Sequence, residues 1–386
     1  MTPFGLYIHW PFCKAKCPYC DFNSHVRSTL FQGARSSVDD DAWREALLTE
    51  LRYWRTQTPN HQLHTIFFGG GTPSLMPPAT VDALIDEAHK LWPAANDVEI
   101  TLEANPTSVE ADKFAAFRAA GVNRVSIGVQ SLRDEALRFL GRQHNVAEAK
   151  SAVAMAQKHF PRFSFDLIYA RPHQTLAEWQ DELREALAMG GSHLSLYQLT
   201  IEDNTGFKNL FDRGQLTMPD ADTAGAFFET TQAMMSAAGL PAYEISNHAR
   251  PGDEGRHNLI YWQYGDYIGI GPGAHGRVSG AATVSEKMPE KWLNLVSTNG
   301  NGLVECSSIT PEQARTEALL MGLRLTEGIS RARWNEKFGA DIATHLPTDK
   351  VQRLVDENYL AVTATHISAT AAGRQRLQAV LNYLVN

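Results

Sequence analysis

Cysteine is scarce: four in 386 residues, too few for a disulfide scaffold in so long a chain. Positive charge is also in deficit, with 35 Lys and Arg against 43 Asp and Glu, a formal net charge of −8. No polybasic run offsets it, so a nucleic-acid footprint is not expected. No apolar run is long enough to span a bilayer. The first twelve residues lack both the basic start and the apolar stretch of a secretory signal. These absences lead to the expectation of a cytoplasmic protein whose cysteines stay as thiols. Internal repeats and low-complexity tracts are missing too. What remains is ordinary for a globular protein: at 43% hydrophobic and 20% charged residues, a sizeable core can form. The length suits one large domain and a smaller one.

Through the first half of the chain, strand-like runs alternate with longer helical patterns. The strand candidates are 5–10, 64–70, 98–104, 124–130, 163–169 and 193–200. Helix candidates lie at about 42–55, 79–92, 110–120, 133–140, 146–159 and 176–189. Thr107 and Ser108 stand ahead of an acidic first turn, and Thr175 precedes Glu178 at capping-box spacing. Gly121, and Gly190 with Gly191, are placed to end helices in the left-handed conformation. Six such alternations predict an α/β fold with a parallel sheet and helices outside it. An open doubly wound sheet and a barrel, complete or partial, both satisfy the pattern. In either, functional residues gather at the carboxyl ends of strands. The cysteines, "GGGTP" (69–73), Glu103, Gln130 and Asp166 occupy such places.

Three of the four cysteines fall within eight positions, Cys13, Cys17 and Cys20, in "YIHWPFCKAKCPYCDF". Thiolates at i, i+4 and i+7 on a loop containing Pro18 can converge on one centre. Structural zinc wants four ligands, and Cys306 is distant in sequence. A redox pair needs only Cys17 and Cys20, leaving Cys13 unexplained. A [4Fe–4S] cluster usually has four cysteines, and with three one iron stays open to an outside ligand. Lys14, Lys16 and Asp21 make the loop too polar for three incidental core thiols.

After residue 200 the rhythm changes. A helix pattern near 221–238 precedes "PAYEISNHARPG" (241–252) and a glycine- and aromatic-rich stretch from 255 to 277. "GPGAHG" (271–276) fits G-x-G-x-x-G, but Pro272 interrupts it and no early βαβ unit surrounds it, so it reads as a tight loop near a ligand or barrel mouth. Helices near 311–325, 330–338 and 349–357, then "YLAVTATHISATAAG" (359–373) and a closing helix at 373–384, suggest a winged-helix-like C-terminal part. The expected divisions are 1–240, 241–305 and 306–386. The polar stretch 25–41 reads as a mobile loop. Cys306 reads as a buried free thiol.

Taken together, "LYIHWPFCKAKCPYCDF", "IFFGGGTPS", "EANP", "RVSIGVQS", "LGRQH", "FDLIYARP", "LYQLTIE" and "HNLIYW" resemble the radical SAM superfamily over almost the whole chain. Within it, they resemble the branch of HemW-type haem chaperones and oxygen-independent coproporphyrinogen III oxidases. The resemblance implies a partial (β/α)6 barrel with a smaller C-terminal α+β domain. It implies a [4Fe–4S] cluster on Cys13, Cys17 and Cys20. It also implies S-adenosylmethionine contacts at positions matching Tyr7, Tyr19, Gly70, Gly71, Thr72, Glu103, Gln130, Arg142 and Asp166. Those residue types suit the task. Glycines let backbone approach a ligand, carboxylates accept from hydroxyls or ammonium, and Arg142 can pair with a carboxylate in a forked geometry.

Both branches act on tetrapyrroles. The oxidase pattern carries a further cysteine where this chain has Phe22, and an N-terminal extension that a first strand at about residue 5 leaves no room for. "HNLIYW" fits the HNxxYW pattern of the chaperones. These features favour a chaperone that binds haem b as cargo and delivers it to respiratory haem proteins; coproporphyrinogen III oxidation is the alternative, and whether the chain is an enzyme stays open, as does a metal- or redox-binding protein outside both. His257, Asn258, Tyr261 and Trp262 are the haem-binding candidates, His257 as axial ligand and the aromatics as a flat surface. Arg250, Arg256 or Arg277 could meet propionates. The competing reading buries Tyr261 and Trp262 in the core and hydrogen-bonds His257 inside the fold. His9, His144 and His275 are alternative ligands. Gly255 stands where some relatives have a cysteine, which excludes thiol attachment of haem there. A homodimer and a peripheral membrane contact stay open.

Overall fold

In the computed structural model, which describes residues 1–26 and 39–385, six parallel strands pair in sequence order. They are β1 (Thr2–Trp10), β2 (His61–Gly70), β3 (Ala94–Ala104), β4 (Arg124–Gln130), β5 (Arg162–Tyr169) and β6 (His193–Gln198). Helices Asp40–Gln57, Pro78–Leu91, Val146–His159 and Leu176–Ala188 pack outside. The expected capping box at Thr175 and Glu178 is formed in both directions. Gly121, Gly190 and Gly191 take positive φ where helices end. The helix expected at 110–120 is two pieces, Ser108–Ala111 and Phe114–Ala119, separated by a turn at Asp112 and Lys113.

The strands are not uniformly apolar. Leu6, Ile8 and Trp10 of β1 and Phe68 of β2 enter the core with Trp43 of the first helix. The alternate positions face the barrel interior, and many of them are polar. Arg124 donates to Ser164, Ser164 to Ser126, and Ser126 reaches Asp166. A sheet that lines a cavity on one face needs apolar residues only on the other.

The sheet continues at both ends without closing on itself. The strand β7 (Asn247–Ala249) pairs antiparallel with β6. At the other edge β8 (Asp266–Ile270) runs parallel to β1, and β9 (His275–Val278), β10 (Ala281–Ser285) and β11 (Leu303–Ser308) follow antiparallel. This extension was not foreseen, because its strands are short and glycine-rich. The "GPGAHG" loop joins β8 to β9 and is pinned from behind: the buried carboxylate of Glu50 accepts from Gly271 N, Gly302 N and Trp292 Nε1.

Cys306 is a correction. It is exposed, not buried, because β11 is an edge strand whose residues from Val304 to Ser308 all face solvent. The boundary expected at 305/306 falls inside that strand. A second hydrophobic core begins at Ala318 and runs to Leu384, built on β12 (Ile329–Ser330), β13 (Leu360–Val362) and β14 (His366–Ala369) with helices around them. Ile245 and Tyr264 pack against it, Arg324 lies 4.6 Å over the Trp262 ring, and Glu317 takes both ends of the Arg277 guanidinium. Most of the stretch 25–41 lies outside the described residues. The parts that are described place His25–Val26 beside Phe12–Cys13 and begin a helix at Asp40.

Candidate functional site: a cysteine loop between two cavities

The loop bearing Cys13, Cys17 and Cys20 leaves β1 and returns to it, since Phe12–Cys13 pairs with His25–Val26. The glycine run after β2 is hydrogen-bonded to the loop's base: Gly71 N donates to Trp10 O and Thr72 N to Phe12 O, at 2.7 and 2.9 Å. A Cβ on Gly71 would sit 2.8 Å from Phe12 O, so a side chain there would push the two loops apart. Across the loop, Phe207 N donates to Pro18 O.

All three thiols line one cavity of about 610 Å³. Thr72 Oγ1 donates to Cys13 Sγ at 3.4 Å, and Arg142 Nη1 to Cys17 Sγ at 3.4 Å. Burial pushes the Cys13 and Cys20 thiols above the ordinary range, opposed in part by hydrogen bonds from Thr72 and Ser24 at Cys13 and from the Phe22 backbone and Ser24 at Cys20. Among the described residues, no three His, Cys, Asp or Glu side chains form a ready site for a single metal ion.

Tyr19, Gly70, Gly71, Thr72, Glu103, Gln130, Arg142 and Asp166 all line this cavity with the cysteines. Gln130 does so from a left-handed backbone position, φ 68°, which breaks β4 and turns its end. Burial first, and Asp166 second, raises the Glu103 carboxyl to about 8. Burial raises Asp166 to about 6, against the hydrogen bond to Ser195. Arg142 spends its fork on the protein: Nη2 donates to Asn105 Oδ1 and to Gly128 O, the latter at 2.9 Å. No carboxylate reaches it among the described residues, and its Nε is buried without a partner. Asn105 escaped the sequence reading. It sits two residues beyond Glu103 in "EANP" and bridges Arg142 to Thr72 through Nδ2, 3.1 Å from Oγ1.

Tyr7 belongs to a second cavity, of about 770 Å³, that shares Lys16, Asp21, Phe22, Ser24, Gly70 and Glu103 with the first. Its walls are aromatic: Tyr7 and Phe67 from β1 and β2, Tyr261, Trp262 and Tyr264 from helix Arg256–Trp262 and its end, and Tyr267 from β8. Leu320 and Met321 of helix Pro311–Gly322 close one side.

Tyr261 and Trp262 line this cavity, but His257 and Asn258 do not. His257 is buried, with Nδ1 2.7 Å from Thr65 Oγ1, Nε2 2.6 Å from the Tyr261 hydroxyl, and its backbone N–H donating to Glu99. Both ring nitrogens are therefore taken inside the fold, and burial lowers the imidazole to about 3. An axial ligand needs a free nitrogen facing the cavity, and neither nitrogen of His257 is free in this arrangement. Asn258 lies beside Gly255 and bonds Tyr243. His144 donates from Nε2 to Val129 O at 3.0 Å and does not line the second cavity. Arg256 holds Asp97, Arg277 holds Glu317, and Arg250 is exposed outside the cavity. His9 and His275 line it.

The Radical SAM superfamily model matches residues 7–186, and the HemN C-terminal domain model residues 309–376. The heme chaperone HemW of Escherichia coli strain K12 is 45% identical over 72% of this chain and 71% of its own. The heme chaperone HemW of Haemophilus influenzae is 35% identical over 99% and 97%. Radical S-adenosyl methionine domain-containing protein 1, mitochondrial, of Mus musculus is 38% identical over 87% and 76%. Among solved structures, coproporphyrinogen III oxidase (HemN) from Escherichia coli, described as a radical SAM enzyme, superposes with a TM-score of 0.81. That match covers 99% of this chain and 90% of the other at 20% identity, and so speaks for the fold alone. The chain belongs to the radical SAM superfamily and, within it, to the HemW family. The superfamily implies a [4Fe–4S] cluster and S-adenosylmethionine. The fold expected from the resemblance, a partial barrel with a smaller C-terminal domain, is the one found.

Proposed function

We propose that this chain is a cytoplasmic haem chaperone. It holds haem b in the larger cavity and a [4Fe–4S] cluster with S-adenosylmethionine in the smaller, and it delivers the haem to respiratory haem proteins. The observation that carries the reading is the junction of the two cavities. Phe22, where the oxidase pattern has a cysteine, lines both of them. Its exposed ring offers apolar surface to a flat ligand at that junction. The relatives named heme chaperone HemW support the cargo, and the aromatic walls suit a porphyrin face.

The residues of the smaller cavity fit the cluster. Cys13, Cys17 and Cys20 would hold it. Hydrogen bonds are already aimed at two of the sulfurs, from Thr72 at Cys13 and from Arg142 at Cys17, and the guanidinium brings a positive charge beside the loop. Bound together, the cluster and S-adenosylmethionine supply one-electron chemistry at the sulfonium. The chain's own part is to position: Glu103 and Asp166 present carboxyls to hydroxyls or a cation, Gly70 and Gly71 open backbone to the ligand, and Arg142 ties the cysteine loop to Gly128 and Asn105.

Coproporphyrinogen III oxidation is the second reading, which the shared architecture permits. One preparation decides between them. Anaerobically reconstituted protein is titrated with haem and, in parallel, assayed for conversion of coproporphyrinogen III. A Soret band at stoichiometric haem without turnover supports the chaperone. Turnover without haem binding replaces it. Zinc in place of iron on the purified chain would remove both.

A further inference from the structure

The larger cavity has three histidines on its walls, His9, His25 and His275, and they are not equivalent. His9 has Nδ1 3.1 Å from the Tyr7 hydroxyl and Nε2 2.9 Å from Asn23 O. His25 has Nε2 3.1 Å from Asn23 Oδ1 and a further hydrogen bond with the Lys287 backbone. His275 makes no side-chain hydrogen bond or ion pair with any described residue. It sits on β9, and period-two alternation puts it on the same face as Arg277, whose cross-strand partner Tyr267 is one of the cavity's aromatic walls. Partial burial and the nearby Lys287 and Arg277 charges lower its imidazole below the ordinary range, which keeps a lone pair available at neutral pH.

The cations around it divide in the same way. Arg277 is held by Glu317 in a two-pronged pair, 3.1 Å at each contact, and so is spent. Lys16 donates only to the carbonyls of Phe22 and Ser24, at 3.4 Å each. Lys287 has no carboxylate within ion-pair distance among the described residues. Two lysines without acidic partners therefore border an aromatic slot that holds one histidine with free nitrogens. A cavity of about 770 Å³ lies within the range of small-molecule and cofactor sites. A flat iron tetrapyrrole carrying carboxylates matches each feature: ring faces against the tyrosines, iron at the imidazole, carboxylates at the lysines.

We propose that His275, and not the histidine of the HNxxYW motif, is the axial ligand of the haem iron, and that Lys287 and Lys16 receive its propionates. This rests on the haem-chaperone reading above and assigns its ligand.

The test uses the full chain, reconstituted anaerobically and titrated with ferric haem while the Soret band is followed. His275→Ala should shift the band and weaken binding by about tenfold or more, and added imidazole should restore the wild-type band, which a merely structural defect would not allow. Lys287→Glu should weaken binding with the band unmoved. A His275→Ala protein that binds haem as tightly with an unchanged band overturns the ligand assignment and leaves the chaperone reading standing. A wild-type chain that takes up no haem overturns that reading and the ligand with it. His275 is exposed on a short strand, and a melting curve matching wild type shows that each variant is folded.

Discussion

The Tyr261 hydroxyl lies 2.6 Å from Nε2 of His257, which ties a residue lining the aromatic cavity to one that does not line it. With Thr65 at Nδ1, the imidazole links β2 to the helix Arg256–Trp262, and so fixes how Tyr261 meets the cavity. Replacing His257 with Ala removes a buried ring and leaves two hydroxyls unpaired. The expected loss is about 2–4 kcal/mol of folding stability, read by urea unfolding, with the Soret maximum of any haem bound kept in place. A shifted maximum at unchanged stability would return His257 to the iron.

Arg142 gives the second prediction. It is a buried cation whose neighbours are a thiol, a phenol, an amide and a carbonyl. Lysine carries the charge but not the planar fork, and cannot reach Cys17, Asn105 and Gly128 together. Iron per chain after reconstitution should fall in Arg142→Lys and fall further in Arg142→Ala. Equal iron in all three proteins would mean the guanidinium does nothing for the cysteine loop.

How much of this was legible in the sequence follows from what kind of contact each residue makes. Glu103, Gln130 and Asp166 sit on successive strands of one parallel sheet, so their shared cavity follows from the βα alternation alone. The three cysteines carry their meaning in their spacing. The larger cavity was hidden, because it joins Tyr7 and Met321 across most of the chain and uses an antiparallel extension with little strand signal. The surroundings of His257 were hidden for a related reason. Its partner Thr65 is 192 residues away, and a motif says nothing about which side of a wall a ring faces. Cys306 was misread because a thiol's burial depends on its strand being interior, and β11 is an edge.

A third prediction concerns pH. The folded values of Glu103 and Asp166, about 8 and about 6, lie above the ordinary 4.5 and 3.8. Between about pH 4 and pH 8 the folded chain then holds protons that the unfolded chain has released, so stability falls as pH rises through that window. Urea unfolding of the cluster-free protein should show that slope, and Glu103→Gln should flatten its upper part. A cation bound beside these carboxyls favours their ionised form, so S-adenosylmethionine should bind with proton release and more tightly at higher pH. Calorimetry in two buffers of different ionisation heat measures the release; proton uptake would contradict the assignment of Glu103 to that ligand.

Gly141 and Gly214 offer a matched pair for the last prediction. Both hold φ at +69°, so alanine at either meets the same left-handed backbone penalty, on the order of 1 kcal/mol. Their surroundings differ. A Cβ on Gly214 meets nothing within 4 Å, whereas one on Gly141 would lie 2.6 Å from Pro18 Cδ, in the middle of the cysteine loop, with the Cys17 Cα at 3.9 Å. The proline ring is rigid and cannot swing aside, so the loop itself must move. Gly214→Ala should therefore lose only the backbone term and keep its full iron content. Gly141→Ala should lose the same term and also take up less iron, with a bleached charge-transfer absorption after reconstitution. If the two variants retain iron equally, the position of Pro18 is not what holds Cys17 and Cys20 in register with Cys13, and the stiffness of the loop has to come from its pairing with His25 and Val26 instead.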